Sequence, residues 1–324
     1  MSEHGGGGHG GGTSAIIAAL AANMGIAVAK FVAFAFTGAS SMLAEGIHSV
    51  ADSGNQVLLL VGGRRADREA DAEHPFGYGR DRYIYGFLVA IVLFSVGGLF
   101  AVYEGVHKLL HPEPLDSPLV AVGVLVVAIA LEGFSLRTAR KEADAMRRPG
   151  ESYWGLIRTA RAPEIPVVLL EDTAAVTGLV IALLGVGLSE LTGSEVFDGL
   201  GTIAIGLLLV AVAAVLGVET KSLLLGESAT PEVQRRIAAA LEDGGAGPSV
   251  IHMRTQHLGP EELLVAAKIA VRHDETAASI ARAIDAAEAR IRSAEPIARV
   301  IYLEPDLRRP GEAPVEGPGA VPTV

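Results

Sequence analysis

One apolar stretch of the chain carries a regular stripe of polar residues. They are Glu45, His48, Asp52 and Asn55, at positions i, i+3, i+7 and i+10. On an α-helix this spacing puts all four on one face, and it leaves His48 and Asp52 one turn apart, where they can share an ion. An imidazole with a carboxylate suits Zn²⁺ better than Mg²⁺ or Ca²⁺, which prefer oxygen ligands alone. We interpret Glu45 and Asn55 as packing groups or as groups that support the ligands.

A second apolar run, residues 165–188, contains the adjacent carboxylates Glu171 and Asp172. A charged side chain in hydrocarbon is costly, so such a pair needs a cation or another partner. We therefore predict a tetrahedral metal site. Its ligands would be His48, Asp52, Asp172 and either Glu171 or a water molecule. Glu171 could instead pair with an arginine.

The elements that must position these residues are membrane helices. Half of the 324 residues are apolar, and the mean hydropathy of +0.41 is too high for an ordinary soluble protein. A helix needs about 20 apolar residues to cross a bilayer. Six stretches meet that length, at residues 14–37, 40–61, 83–109, 118–136, 165–188 and 196–218. The sequence therefore predicts an α-helical membrane protein with six transmembrane helices.

Basic residues indicate the orientation in the membrane. Five arginines lie between the second and third helices and seven basic residues between the fourth and fifth, whereas the three other connections hold only Lys108. Cytoplasmic loops are enriched in Lys and Arg. Both basic connections and both termini are therefore predicted to be cytoplasmic. Compact loops and the absence of a targeting signal favour a bacterial inner membrane as the location.

Composition also excludes several classes of function. The net charge of −11 argues against nucleic acid as a partner, because phosphate binding requires clustered Lys and Arg. The chain has no cysteine, so disulfides, thiolate metal sites and cysteine nucleophiles are excluded. There is no His-Glu-x-x-His motif and no serine in a nucleophile setting. We predict that the protein is not an enzyme and has no cofactor.

The composition changes after Gly226. Apolar residues recur first at helical spacing, then alternate as in strands over residues 249–257 and 263–271, then return to helical spacing before a short run at 300–303. The order α-β-β-α-β predicts a small α+β domain, an open sheet covered by two helices on one face. The predicted divisions are a disordered Gly/His tail (1–13), a transmembrane transport domain (14–226), a cytoplasmic domain (227–306) and a disordered tail (307–324).

Three short segments, in a fixed order, carry a resemblance to a known family. They are Ser41-Met-Leu-Ala-Glu-Gly-Ile-His48-Ser-Val-Ala-Asp52, His74-Pro-Phe-Gly-Tyr-Gly-Arg80 and Glu195-Val-Phe-Asp198-Gly-Leu-Gly201. In order and spacing they resemble the cation diffusion facilitator family of zinc and related metal transporters. The likeness covers residues 14–306. It implies a homodimer with a ferredoxin-like cytoplasmic domain that dimerises. It also implies export of cytoplasmic metal in exchange for protons by alternating access, with Zn²⁺ as the ion and Mn²⁺, Co²⁺ or Cd²⁺ as alternatives.

The resemblance also assigns site residues. The family's transport site pairs His-x-x-x-Asp or Asp-x-x-x-Asp on the second helix with His-x-x-x-Asp on the fifth. His48 and Asp52 match the first pair, and Asp172 matches the second aspartate, but Val168 replaces its histidine. From the direction of Val168, Asp172 lies about 40° to one side and Glu171 about 60° to the other, so Glu171 can partly replace that histidine. A divergent branch of the family also carries Leu-Glu-Asp here.

Accessory sites in the family are matched less completely. Asp71 and His74 match two ligands of a loop site, but Tyr78 stands where some members have a third histidine. We predict a weak metal site there. In the cytoplasmic domain Tyr302 and Glu304 fall near ligand positions, and only Glu304 can bind metal. We predict weak or absent metal binding in that domain.

Two other functions are compatible with the same residues. One is a metal pathway without proton coupling, which would differ only in its response to a pH gradient. The other is a non-transporting membrane scaffold or metal sensor. Val168 favours this second alternative, and the presence of all four candidate ligands opposes it.

Overall fold

The computed structural model describes residues 9–112, 117–243 and 248–307, with the backbone alone for residues 9–19, 21 and 22. Residues 1–8 of the predicted tail 1–13 and residues 308–324 of the predicted tail 307–324 lie outside this part. The chain divides into two compact units. One combines Met1–Arg64 with Ile84–Thr220, and the other combines Arg65–Tyr83 with Lys221–Val324. The described part of the first unit is helical, and the second contains a sheet.

Long helices account for most of the first unit. They are α1 (His9–Thr37), α2 (Ser40–Ala66), α3 (Asp81–Val92) continued by a π-helical segment (Leu93–Leu99) and α4 (Phe100–Leu110), α5 (Pro118–Met146), α7 (Glu164–Thr192) and α8 (Val196–Leu225), with a short α6 (Tyr153–Thr159) before α7. Each predicted apolar stretch lies in one of them. Helix α1 begins at His9, five residues before the predicted domain boundary at residue 14.

Four of these segments are long and apolar enough to cross a membrane. They are Asp81–Leu110, α5, α7 and α8. In α1 the apolar helical part Asn23–Thr37 is shorter than these four. Helix α2 does not reach the same hydropathy because of its polar stripe. The protein is therefore a helical protein of the membrane type, and the count of six membrane-spanning helices stays a prediction.

A sharp break separates α1 from α2 and fixes where α2 begins. Gly38 has a left-handed φ of 64°, which favours glycine and ends α1. The buried carboxylate of Asp198, on α8, then caps α2: its Oδ2 accepts the Ser40 backbone N–H at 2.9 Å, and its Oδ1 accepts the Ser41 hydroxyl at 2.5 Å. An anionic cap satisfies N–H groups that the first turn cannot pair internally. Asp198 thereby sets the position of the α2 polar stripe.

Helix α5 ends at Met146, ten residues beyond the apolar stretch at residues 118–136. Leu136, Ala139 and Ala143 share one face of this extension and are buried in a cluster with Leu156 and Leu169. The basic residues between them are exposed on the other face. The extension is an amphipathic helix stabilised by packing, which a search for apolar runs misses.

Glycines bring the third long segment against α8. A Cβ atom added to Gly98 would lie 2.7 Å from Val210 Cγ2, and one added to Gly105 would lie 2.8 Å from the Gly199 carbonyl oxygen. Such close backbone approach is possible only without side chains. Within the π-helical segment, a Cβ on Gly97 would lie 3.9 Å from His48 Nδ1. The π-helical segment therefore borders the candidate metal ligand His48.

The second unit contains α9 (Pro231–Glu242), β1 (Ser249–Gly259), β2 (Glu262–Val271), α10 (Ala277–Ala294) and β3 (Val300–Leu307). The sheet order is β1-β2-β3, antiparallel between β1 and β2 and parallel between β2 and β3. Alternate residues of β2, from Leu263 to Ile269, are buried in one core with Ile237 of α9 and Ile291 of α10. The predicted order α-β-β-α-β is confirmed. The ferredoxin-like assignment stays a prediction.

Candidate metal site

The centre of the site is the His48–Asp52 pair on α2. His48 Nε2 lies 3.4 Å from Asp52 Oδ2, as the one-turn spacing requires. The His48 side chain is 1% exposed and that of Asp52 is 14% exposed. Neither ring nitrogen of His48, nor Asp52 Oδ1, has a hydrogen-bond partner among the described residues. Buried nitrogen and oxygen atoms without partners are costly unless a ligand satisfies them.

Helix α7 brings the second half of the predicted site. Glu171 is buried, and its Oε1 accepts a hydrogen bond of 2.6 Å from Asn55 Nδ2 of α2. Asp172 Oδ2 accepts a hydrogen bond of 2.8 Å from Ser135 Oγ of α5. The partner of Glu171 is thus an amide on the polar stripe and not an arginine. Asn55 acts as a group that holds a candidate ligand.

The two halves face the same region. The carboxylate of Asp52 interacts electrostatically with those of Glu171 and Asp172. Across the described ranges, however, no three His, Asp or Glu side chains lie close enough together to hold one ion. The structure pairs His48 with Asp52 and ties Glu171 to α2 through Asn55. The four-ligand set stays a prediction, since it requires the side chains to converge further.

Val168, at the position of the missing histidine, lies in apolar surroundings. It packs against the cluster formed by Leu136, Ala139 and Ala143 of α5 with Leu156 and Leu169. Its partners are therefore hydrophobic, and the candidate ligands of α7, Glu171 and Asp172, lie about one turn later.

Sequence reasoning named neither the partner of Asp172 nor that of Lys30. Ser135 gave no signal, since serine is unremarkable in a membrane helix. Lys30 was visible as a charge within an apolar helix, and its ammonium lies 3.1 Å from Glu45 Oε2 and 2.7 Å from Ser49 Oγ. One carboxylate oxygen of Glu45, Oε2, is therefore part of an ion pair.

The loop residues Asp71 and His74 also lie together, in a turn. Asp71 Oδ1 accepts the backbone N–H groups of His74 at 2.7 Å and Glu73 at 3.0 Å, and Oδ2 accepts the Tyr78 hydroxyl at 2.6 Å. The Tyr78 hydrogen bond, followed by those from the backbone, lowers the pKa of Asp71 to about 2. This carboxylate stabilises a turn, and the loop metal site stays a prediction. In the sheet, Glu304 is paired with Lys268 at 3.2 Å.

Comparison with known proteins identifies a family. A family model described as the cation efflux transmembrane domain matches residues 16–225, which contain the whole candidate site except the accessory residues of the sheet.

Curated relatives carry related names. The human "Proton-coupled zinc antiporter SLC30A9, mitochondrial" is 36% identical over 231 residues, covering 71% of this chain and 41% of that protein. "Metal tolerance protein C4" of Arabidopsis thaliana is 28% identical over 256 residues, covering 79% and 56%. "Cation-efflux pump FieF" of Salmonella arizonae is 26% identical over 252 residues, covering 77% and 78%. The chain thus spans about two fifths of the human relative's length. With the apolar helices and the match over most of the chain, these findings show that this is an integral membrane protein of the cation efflux, or cation diffusion facilitator, family, whose members are transporters and not enzymes.

Proposed function

We propose that this protein exports a divalent metal cation, Zn²⁺ by preference, from the cytoplasm in exchange for protons by alternating access. The observation that carries the proposal is the buried His48–Asp52 pair, 3.4 Å apart, whose imidazole nitrogens have no hydrogen-bond partner in the described structure. A nitrogen and carboxylate donor set suits Zn²⁺. The name of the human relative, a proton-coupled zinc antiporter, supports the same ion and the same coupling.

Proton exchange follows from the chemistry of these ligands. Zn²⁺ binds deprotonated ligands, so its binding releases protons, and histidine changes charge near neutral pH. Without metal or protons, Asp52, Glu171 and Asp172 would leave three negative charges in a region of low dielectric. The site therefore holds either metal or protons, and alternating access turns this competition into exchange. Asn55 of α2 holds the Glu171 carboxylate toward α2, and Ser135 of α5 holds the carboxylate of Asp172.

The proposal includes topology and assembly. All six long helices cross a bilayer, with both termini on the cytoplasmic side, in a bacterial inner membrane. The domain at residues 227–306 is ferredoxin-like and joins two copies of the chain into a homodimer. Its three-stranded sheet has β1 and β3 as edge strands, and this supports the role because an edge strand can pair with a second copy of the chain.

Transport by purified protein in sealed liposomes tests the proposal. Zn²⁺ uptake is followed with a trapped fluorescent indicator, with and without an imposed pH gradient, for the wild type and Asp172→Ala. Asp71→Ala is the matched control, because that carboxylate caps an exposed turn. Uptake that follows the gradient and is lost in Asp172→Ala supports proton exchange at this site. Uptake that ignores the gradient supports an uncoupled metal pathway instead.

A scaffold or sensor without transport is the second candidate function. Val168 favours it, because apolar packing occupies the position at which the family has a ligand. Restoring the ligand with Val168→His separates the two functions. If the wild type is inactive toward Zn²⁺, Mn²⁺, Co²⁺ and Cd²⁺ and the variant transports, the scaffold function is supported. If the wild type already transports, it is contradicted.

A further inference from the structure

A second group of charged side chains lies inside the helical unit, apart from the candidate metal ligands. We call it the Lys30 cluster; it consists of Lys30 of α1, Glu45 and Ser49 of α2, and Glu132 of α5. Lys30 Nζ lies 3.1 Å from Glu45 Oε2, 2.7 Å from Ser49 Oγ and 4.0 Å from Glu132 Oε1. Lys30 and Glu45 are fully buried, and the Glu132 side chain is 9% exposed. Three helices therefore contribute to one buried ionic group.

The Lys30 cluster has more carboxylate than its partners can neutralise. With every member ionised, two glutamates share one ammonium and the cluster carries one net negative charge. Glu45 Oε1 has no hydrogen-bond partner among the described residues, and it faces the backbone of α7, since a Cβ on Gly178 would lie 2.5 Å from it. An uncompensated buried charge is costly, whereas one added proton makes the cluster neutral.

The Lys30 cluster is also coupled to the candidate metal ligands. Glu45 precedes His48 by three residues on α2, and Ser49 follows it directly. Lys30 interacts electrostatically with His48 and Asp52. Glu132 interacts with Asp52 and with Asp172, which α7 presents beside Glu171. Charges at this depth are weakly screened, so a cation that arrives at Asp52 favours the ionised form of Glu132.

We propose that Lys30, Glu45 and Glu132 form a proton-carrying site, separate from the metal ligands, that adds one proton to the exchange. The inference rests on the proposed proton-coupled transport. Without metal, the two carboxylates of the Lys30 cluster hold one proton, and the cluster is neutral. When metal binds at His48 and Asp52, the carboxyl O–H bond breaks, the proton leaves to water on the open side, and the resulting negative charge offsets part of the metal's charge.

Glu132→Gln is the sharpest test, because Glu132 is the member nearest the surface of the helical unit and glutamine keeps its size without its proton. The number of protons released per Zn²⁺ is measured on the purified full-length protein by calorimetry in buffers of different ionisation enthalpy. It is measured again in liposomes as the ratio of proton flux to Zn²⁺ flux. We expect both numbers to fall by one. Zn²⁺ affinity should change by less than about tenfold, since Glu132 is not a ligand.

Two further variants keep the test decisive. Glu104→Gln, on α4 and outside the Lys30 cluster, is the matched control and should release as many protons as the wild type. In the double variant Lys30→Met with Glu45→Gln, Glu132 loses its cation and stays protonated with and without metal. This double variant should therefore also lower the ratio by one proton. This double variant serves if Glu132→Gln does not fold.

The outcomes separate this inference from the proposed function. Zn²⁺ transport by the wild type without proton movement would refute both. Proton-coupled wild type with an unchanged ratio in the variants would refute the Lys30 cluster alone. A shift in the pH midpoint of Zn²⁺ transport with an unchanged number of protons per Zn²⁺ would also refute it. That result would show an electrostatic effect of Glu132 without a carried proton.

Discussion

Two pairs of aspartate and histidine in this protein have nearly the same separation and opposite surroundings. On α2, His48 Nε2 lies 3.4 Å from Asp52 Oδ2, with side chains 1% and 14% exposed. In the loop, His74 Nδ1 lies 3.5 Å from Asp71 Oδ1, with side chains 48% and 45% exposed. Distance alone therefore does not distinguish the two pairs.

Their hydrogen bonds do distinguish them. Both carboxylate oxygens of Asp71 accept hydrogen bonds from its own turn, whereas Asp52 Oδ1 and both nitrogens of His48 have no such partner among the described residues. The lone pairs of the exposed Asp71 carboxylate are in use, and solvent is accessible to it, so this pair gains little from an ion. The lone pairs of the more buried pair are free and have little access to solvent, so an ion stabilises that pair most. A metal site thus needs unused donors in a place where leaving them unused is costly.

The largest expected effect contrasts the two aspartates directly. Asp52→Ala should reduce Zn²⁺ transport by more than about 100-fold, since even groups that only support metal ligands contribute about 10–100-fold. His48→Ala should act alike. Asp71→Ala should stay within about twofold of the wild type, because its carboxylate serves a turn and is not expected to hold the transported ion. Uptake into sealed vesicles, normalised to folded protein, measures all three. Strong transport by Asp52→Ala would contradict the assignment of the metal site to α2.

A smaller effect is expected at the groups that hold the α7 carboxylates. Ser135→Ala removes the hydrogen bond to Asp172 and should lower Zn²⁺ affinity by about 10–100-fold. Ser95→Ala is the matched control, since that hydroxyl donates a hydrogen bond to the Ile91 carbonyl of the preceding turn. Binding titrations compare the two variants. Equal affinities would show that Asp172 does not depend on Ser135 for its orientation.

The smallest effect concerns the loop pair. The Tyr78 hydrogen bond is the largest cause of the low pKa of Asp71, about 2 against an ordinary 3.8. Tyr78→Phe should raise the pKa of Asp71 part of the way back, because the backbone N–H groups of His74 and Glu73 remain. A carboxyl NMR titration measures this change, and an unchanged pKa would contradict the assignment of Tyr78.

The sign of the stability effect follows from the direction of that shift. The folded-state pKa of Asp71 is below its ordinary value. The contribution of its ionised carboxylate to the free energy of unfolding is therefore complete above pH 3.8 and is lost as the pH falls through about 2. Transport near neutral pH should therefore not depend on this group. In Tyr78→Phe, the contribution should be smaller, and its loss should be complete at a higher pH.

The fold could be predicted where local pattern decides it. The apolar runs gave the positions of the long helices, because hydropathy is a property of each segment. Helix α5 continues ten residues past its apolar run, since Ala139 and Ala143 are buried by neighbours that are distant in sequence. The π-helical segment Leu93–Leu99 had no pattern to reveal it, because it forms where Gly97 and Gly98 lie against α8 and His48.

The sequence by itself determined the pairing of His48 with Asp52, because four residues of helix fix both distance and direction. It also determined that Glu171 and Asp172 lie within an apolar helix. Only the tertiary structure decided which carboxylates of α2 and α7 already accept hydrogen bonds. Glu45 is bound to Lys30, Glu171 to Asn55 and Asp172 to Ser135, across separations of 15, 116 and 37 residues. Such contacts depend on helix packing, and no local spacing encodes them.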